Sequence, residues 1–160
     1  MKKKNFIIAI LSGLRVFTLC ACSKTSNEDQ VIIDDMVNKF NSIANVPRPS
    51  NHEEKIADYL CDWAKSHGFS PVNDIVNNVI FDVPATEGME NKEKVILQCH
   101  SDMVFAQTGE DKDPLTTPIE VNNDGQKLTA NGTSLGEDDG IGCSIAYVQQ
   151  KVRFLMDLFV

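Results

Sequence analysis

The stretch that decides the fold class is Val95-Ile-Leu-Gln-Cys-His-Ser-Asp-Met-Val104. Its first five residues are almost continuously apolar, which predicts a buried strand of a mixed or parallel sheet. His100 and Asp102 follow where that strand ends. Because ligand sites in α/β sheets gather at the carboxyl ends of strands, this histidine is placed to meet a ligand. A structural histidine beside a turn aspartate is the alternative that the spacing leaves open.

Helical and strand patterns alternate on both sides of this strand. Residues 31–44 carry apolar residues at helical spacing, and a second helix is predicted between Ser50 and Gly68. Ser50 and Glu53 match the capping box that begins a helix. The apolar faces of these two helices comprise Ile32, Met36, Phe40 and Ile43, and Ile56, Tyr59, Leu60, Trp63 and Ala64.

The remaining patterns complete an α/β assignment. Residues 69–83 predict two short strands around Asn77-Asn78, and Asn122-Asn-Asp-Gly125 predicts the turn of a hairpin. Residues 141–150 predict a third helix. Strands that alternate with helices predict an α/β fold in which helices flank a mixed sheet around one core.

Gly136-Glu-Asp-Asp-Gly-Ile-Gly142 is the second segment whose residues suggest chemistry. Three consecutive carboxylates lie among three glycines just before a helix. A solvated turn, or acids that favour the positive end of the helix dipole, is the ordinary interpretation. Glycines also let a loop wrap closely round an ion, and carboxylates combined with imidazole suit zinc, cobalt or manganese better than calcium. His100 and this loop together supply too few donors to complete a metal site.

The first thirty residues form a separate unit. Three lysines precede a short apolar stretch, residues 6–14, as in a secretory signal. The apolar stretch is too short to span a membrane as a helix. Leu19-Cys-Ala-Cys22 resembles a lipobox in which Cys22 is lipidated. We therefore predict a signal segment over residues 1–22, a polar tether over residues 23–30, and export with a lipid anchor to a bacterial membrane. An inert extension of a cytoplasmic protein is the alternative.

Composition excludes other classes of function. The chain has 160 residues, is 42% hydrophobic and carries a formal net charge of −8, so a nucleic-acid partner is not expected. The five cysteines form no Cys-x-x-Cys pair and have no regular spacing, so a disulfide framework is not expected. The other residues that could bind a ligand have simpler interpretations. We expect His52 and His67 at the surface, Cys99 and Cys143 buried by packing, and Trp63 in the core.

Several longer motifs resemble one known family. They are Ser50-Asn-His-Glu-Glu54, Trp63-Ala-Lys65, His67-Gly-Phe69, Pro84-Ala-Thr-Glu-Gly-Met-Glu-Asn91, Leu97-Gln-Cys-His-Ser-Asp-Met-Val104 and Gly132-Thr-Ser-Leu-Gly-Glu-Asp-Asp-Gly-Ile-Gly142. Together they resemble aminoacyl-histidine dipeptidase, a cytosolic Xaa-His dipeptidase of the di-zinc exopeptidase family. The resemblance covers residues 32–149 and implies the N-terminal part of a zinc-exopeptidase-like catalytic domain.

The resemblance also implies roles for individual residues. His100 matches a ligand of one metal, and Asp138 matches the carboxylate that bridges two. Asp102 matches the catalytic acid that steadies the histidine. The peptide after the bridging acid is expected to be cis. Two divalent ions, zinc or else cobalt or manganese, would activate water for hydrolysis of a dipeptide substrate.

The rest of the family's site follows later in the family's chain. Its general base, its remaining metal ligands and its dimerisation domain all lie beyond the matched segment. Residues 31–150 are thus expected to form a partial metallopeptidase catalytic domain, and residues 151–160 a divergent tail. A truncated remnant without activity, or a module that binds metal or peptide without turnover, are the alternatives. Homodimer formation is expected only of the full-length relative.

Overall fold

The computed structural model describes residues 26–149 and the backbone of residues 156–159. The predicted signal segment, the lipidation site Cys22 and most of the predicted tail lie outside the described residues. Within the described part, the elements are α1 (Asn27–Ala44), α2 (Glu54–Ser66), β1 (Val72–Asn73), β2 (Val79–Val83), β3 (Val95–Gln98), β4 (Val121–Asn123), β5 (Leu128–Ala130), α3 (Glu137–Gln149) and β6 (Met156–Phe159). None of the described helices is long and apolar enough to cross a lipid bilayer.

Helix α1 begins earlier than the apolar pattern predicts. The Ser26 hydroxyl accepts a hydrogen bond from the Asp29 amide, and the Asp29 carboxylate accepts one from the Ser26 amide, both at 3.1 Å. This reciprocal cap places residues 26–30, predicted to be tether, in the first turn and its cap. The carboxyl-terminal half of the predicted apolar face is confirmed, since Phe40 and Ile43 are buried, whereas Ile32 is exposed.

Helix α2 has the predicted apolar face but not the predicted cap. Ile56, Leu60 and Ala64 are fully buried. The N-cap residue is Glu53, and its side chain makes no capping hydrogen bond. The capping-box prediction for Ser50 is wrong because the Ser50 hydroxyl is hydrogen-bonded to Asp102 instead.

The main sheet is mixed, as predicted, and has the strand order β1-β2-β6-β3. β1 and β6 pair antiparallel to β2, and β3 pairs parallel to β6. The prediction that β3 is buried throughout is wrong, because Val95 and Ile96 are exposed. The core reaches this strand only toward its carboxyl end, where Leu97 is partly buried and Cys99 is buried. The predicted hairpin is confirmed by β4 and β5, which form a separate antiparallel pair.

The apolar core lies between the helices and the inward face of β2. Val79, Phe81 and Val83 alternate inward along that strand, as a half-buried strand requires. They pack with α2, the end of α1 and α3. Trp63 stacks between Tyr147 and His67, with ring centroids 4.1 and 4.2 Å away. Cys99 and Cys143 are buried and His67 is exposed, as predicted.

Candidate metal centre

The loop after β3 carries the first candidate metal donor, His100. Side chains alternate across an extended chain, so Cys99 enters the core while His100 points away from it. His100 remains 49% exposed, at the edge where β3 ends. The chain therefore presents an accessible imidazole at the position that the sequence predicts.

The His100 ring lies between two carboxylates. Its Nδ1 is 3.1 Å from Asp102 Oδ1, and its Nε2 is 3.1 Å from Asp138 Oδ1. Burial by itself lowers the pKa of His100, but the hydrogen bond to Asp138 and the charge of Asp102 outweigh it, so the net pKa is raised. Both ring nitrogens thus have an acceptor, which favours the doubly protonated ring.

Asp102 is held from its other side by Ser50. The Ser50 hydroxyl donates to Asp102 Oδ2 at 2.5 Å, while Asp102 Oδ1 faces His100. The Ser50 amide donates to the Met103 carbonyl at 3.1 Å, which fixes the serine beside the same loop. A chain of contacts therefore runs from Ser50 through Asp102 to the imidazole and sets the orientation of the ring.

The acidic loop separates two adjacent carboxylates. Asp138 and Asp139 have non-helical backbone angles, and the peptide between them is cis, as the resemblance predicts. Asp139 turns inward and accepts a hydrogen bond from the Gly142 amide at 3.0 Å. The Asp138 side chain is 91% exposed and points to His100. Regular helix begins near Gly140, close to the predicted start.

The two donors have the chemistry and the spacing of metal ligands. Ligand atoms about 2.0–2.1 Å from a tetrahedral zinc ion lie roughly 3.3 Å from each other. The separation of His100 Nε2 from Asp138 Oδ1 is 3.1 Å. The Nδ1–H donated to Asp102 leaves the Nε2 lone pair for a metal. The spacing and the chemistry of this pair therefore fit those of two ligands of one metal ion.

The donor set is incomplete within the described residues. Across residues 26–149, no three His, Cys, Asp or Glu side chains converge in a way that could hold a metal ion. The Asp139 carboxylate faces the Gly142 amide instead. Exposed Glu137 lines the same cleft, but the described part of the chain provides only His100 and Asp138 as a facing pair.

An open cleft of about 200 Å³ lies over these side chains. A second concavity of about 430 Å³ adjoins it and shares Met103 and Val104 with it. The cleft is lined by His100, Asp102, Met103, Val104, Ser134, Gly136, Glu137 and Asp138. A small ligand could approach His100 and Asp138 from solvent.

Sequence patterns do not identify two residues that shape this region. Ser50 matches a helix cap, and Arg48 has no pattern of its own. Arg48 is nevertheless 1% exposed and donates hydrogen bonds to the loops of both donors. One sequence signal could have suggested a buried role for Arg48. This cation lies between Pro47 and Pro49, in a segment that the two prolines keep from forming a helix.

Comparison with known proteins connects this geometry to peptidases. A scan against protein-family models finds no match. The cytosol non-specific dipeptidase of Escherichia coli (strain K12) is 44% identical over 108 residues, which make up 67% of this chain and 22% of that protein. The structure of aminoacylhistidine dipeptidase from Vibrio alginolyticus matches with a TM-score of 0.71 and 37% identity, over 78% of this chain and 26% of that one.

A more distant structure shares the fold. A tripeptidase from Staphylococcus aureus matches with a TM-score of 0.62 and 16% identity, over 79% of this chain and 35% of that one. The predicted fold class, part of an α/β exopeptidase domain, is thereby confirmed. The chain spans about a quarter of the length of the two dipeptidases that it matches.

One prediction is contradicted by these comparisons. Export and lipid anchoring were expected from the leader-like pattern, but the relative with 44% identity is a cytosolic enzyme. The prediction of export with a lipid anchor is therefore wrong. A short apolar stretch followed by cysteine is a pattern of low specificity, whereas the match to the relative extends over 108 residues. The shared motifs, the sequence identity and the common fold support the resemblance to the aminoacyl-histidine dipeptidase family, over about a quarter of the length of its two relatives.

Proposed function

We propose that this chain contributes part of a two-metal site for the hydrolysis of dipeptides in the cytoplasm. The observation that carries the proposal is the facing pair of His100 Nε2 and Asp138 Oδ1, 3.1 Å apart beneath an open cleft. Peptide hydrolysis is the activity named for the dipeptidase relatives.

Each of the chain's own residues has a separate task in this proposal. His100, through Nε2, and the Asp138 carboxylate would hold the metal ions. Asp102 keeps the His100 proton on Nδ1 and fixes the plane of the ring. Divalent ions bound in such a site supply an activated water and polarise the scissile carbonyl. The Asp138 side chain is 91% exposed, so its carboxylate would be accessible to the metal ions.

The substrate is proposed to be a dipeptide, with Xaa-His preferred. One relative is named as a non-specific dipeptidase and the other as an aminoacylhistidine dipeptidase. A cleft of about 200 Å³ beside a larger concavity is compatible with a ligand of two residues. Met103 and Val104 line both concavities and would contact a dipeptide that occupies them.

A second candidate is a module that binds metal or peptide without turnover. It is favoured by the donor count, because the described residues supply one imidazole and one carboxylate to the site. Two ligands hold a transition metal weakly, and hydrolysis also needs a general base. The Asp102 carboxylate already faces His100 Nδ1, and no group of three His, Cys, Asp or Glu side chains among the described residues could hold a metal ion.

Metal binding and turnover can be measured on the purified 160-residue chain. Calorimetric titration with Zn²⁺ or Co²⁺ should show binding that is lost in His100→Ala and Asp138→Asn. His67→Ala removes an exposed histidine of α2's carboxyl end and should bind as the unaltered chain does. Release of histidine from an Xaa-His dipeptide would support the peptidase, and binding without release would support the second candidate. Failure of the unaltered chain to bind either ion would contradict the metal-dependent peptidase and the metal-binding form of the second candidate.

A further inference from the structure

Arg48 links the two loops that carry the metal donors. Its Nη1 donates to the carbonyl of Ser101 at 2.8 Å and to that of Asp102 at 3.1 Å. Its Nη2 donates to the carbonyl of Gly136 at 2.6 Å. The first two carbonyls belong to the two residues that follow His100 in the loop after β3, and the third lies two residues before Asp138. One planar guanidinium therefore spans both loops.

The backbone of Arg48 is itself fixed to the first loop. The Met103 amide donates to the Arg48 carbonyl at 3.0 Å, and the Ser50 amide donates to the Met103 carbonyl at 3.1 Å. Pro49 between them is buried and forms a bridge with Met103. The side chain thus starts from a segment that is fixed against one donor loop and ends on the other.

The acidic loop has space for the guanidinium because of two glycines. A Cβ atom added to Gly136 or to Gly140 would lie 2.7 Å from Arg48 Nη2, closer than real side chains approach. Both glycines are buried. Any larger residue at either position would force the guanidinium or the loop to move. The backbone of the acidic loop and the Arg48 side chain therefore fit together as a unit.

Packing alone does not account for an arginine here. Burial lowers the pKa of Arg48, although the charges of Asp102 and Asp139 act in the opposite direction. Arg48 Nε is buried without a hydrogen-bond partner in the described part of the chain. An apolar side chain would avoid both costs, but it could not hold three carbonyls of two loops in fixed positions.

We propose that Arg48 is a positioning residue of the metal centre. By fixing the loop of His100 and Asp102 against the loop of Asp138, it sets the separation of the two donor atoms. Arg48 does not line the cleft over His100 and Asp138, and it acts through the two loops. The inference rests on the proposed metal site, and its role in coupling the loops can be tested separately.

Two substitutions and a matched control test the proposal. Arg48→Met removes the donors, and Arg48→Lys keeps the charge but replaces the fork by a single ammonium. Ile56→Val makes a small change in the apolar core, at a fully buried residue of α2. Each folded variant is titrated with Co²⁺, and amide hydrogen exchange is followed by mass spectrometry without metal.

We expect Co²⁺ affinity and protection from hydrogen exchange to fall at the two loops and not in the rest of the fold. Co²⁺ affinity should fall about tenfold to a hundredfold in Arg48→Met, the range for residues that orient metal ligands, and less in Arg48→Lys. Exchange should accelerate in peptides that cover residues 100–104 and 134–140, while the peptide of α2 stays protected. Ile56→Val should leave both loops and the Co²⁺ affinity unchanged.

Three results would overturn the proposal. The first is unchanged Co²⁺ affinity in a folded Arg48→Met chain. The second is faster exchange in α2 to the same extent as in the two loops, which would mean a general loss of stability. The third is unchanged exchange in both loops. If the unaltered chain binds no Co²⁺, the proposed function fails, and the exchange measurement alone decides whether Arg48 couples the loops.

Discussion

The apolar core between α2, β2 and α3 and the polar junction around Arg48 are both closed to solvent, but different forces hold them together. In the core, Leu60, Phe81 and their neighbours bury hydrocarbon surface, an interaction without direction. At the junction, the guanidinium is fixed by directed hydrogen bonds to backbone carbonyls. The core sets how stable the fold is, whereas the junction sets where the loops of His100 and Asp138 lie.

The largest expected effect on stability is in the apolar core. Leu60→Ala should lower the free energy of unfolding by about 2–5 kcal/mol, because it removes buried methyl groups and leaves a cavity. Metal affinity of the folded fraction should not change. Urea denaturation with and without Zn²⁺ measures both. Asp58→Ala on the exposed face of α2 is the control, and an equal loss there would contradict the explanation.

A smaller effect is expected at the boundary of the two regions. Gly140→Ala would place a Cβ 2.7 Å from Arg48 Nη2 and 2.9 Å from Phe40 Cε2. Crowding of this kind typically costs about 1–3 kcal/mol in the free energy of unfolding. Because the guanidinium must move, metal affinity should fall as well. Ile145→Ala, at an exposed position of the same helix, should change neither quantity, and the pair can be compared by thermal denaturation and calorimetry.

The Ser50→Ala substitution tests the contribution of one directed hydrogen bond, from Ser50 to Asp102. Ser50→Ala removes the hydroxyl that donates to Asp102 Oδ2, at an expected cost of about 1–2 kcal/mol in the free energy of unfolding. The Asp102 carboxylate would be free to rotate, so metal affinity should fall several-fold. Ser66→Ala removes an exposed hydroxyl at the end of α2 and is the control. Normal metal binding by Ser50→Ala would show that Asp102 needs no second partner.

The smallest effect on stability is expected at the donor itself. Asp138→Asn should change the free energy of unfolding by less than about 0.5 kcal/mol, because the side chain is 91% exposed. Metal binding should nevertheless be lost. Asp62→Asn, an exposed carboxylate of α2, should alter neither stability nor binding. A large loss of stability in Asp138→Asn would mean that the carboxylate is structural and that the two regions are not separable.

The sequence predicts the apolar region well because hydrophobic burial leaves a periodic signal. The face of α2, the alternation in β2 and the hairpin turn at Gly125 all follow from spacing and turn chemistry. Errors occur where an element is only partly covered. Val95 and Ile96 have the composition of a buried strand, but composition does not show that helices reach only the far end of β3.

The polar region is predicted only in part. His100, Asp102 and Asp138 stand out because resemblance to a family supports a weak spacing signal. Arg48 and Ser50 do not, because their contacts join residues more than 50 positions apart in the chain. Ser50 also has a local alternative, the helix cap, that is equally consistent with its neighbours. Directed contacts between distant residues leave no period in a sequence.

The position of β6 has a consequence for synthesis of the chain. Among the described strands, β3 pairs only with β6, and β6 also separates β3 from β2. During synthesis on the ribosome, β3 therefore has no strand to pair with until residues 156–159 have emerged. During that interval its exposed Val95 and Ile96 are available to chaperones or to other nascent chains, and a protease that removed residues 156–159 would return the strand to that state.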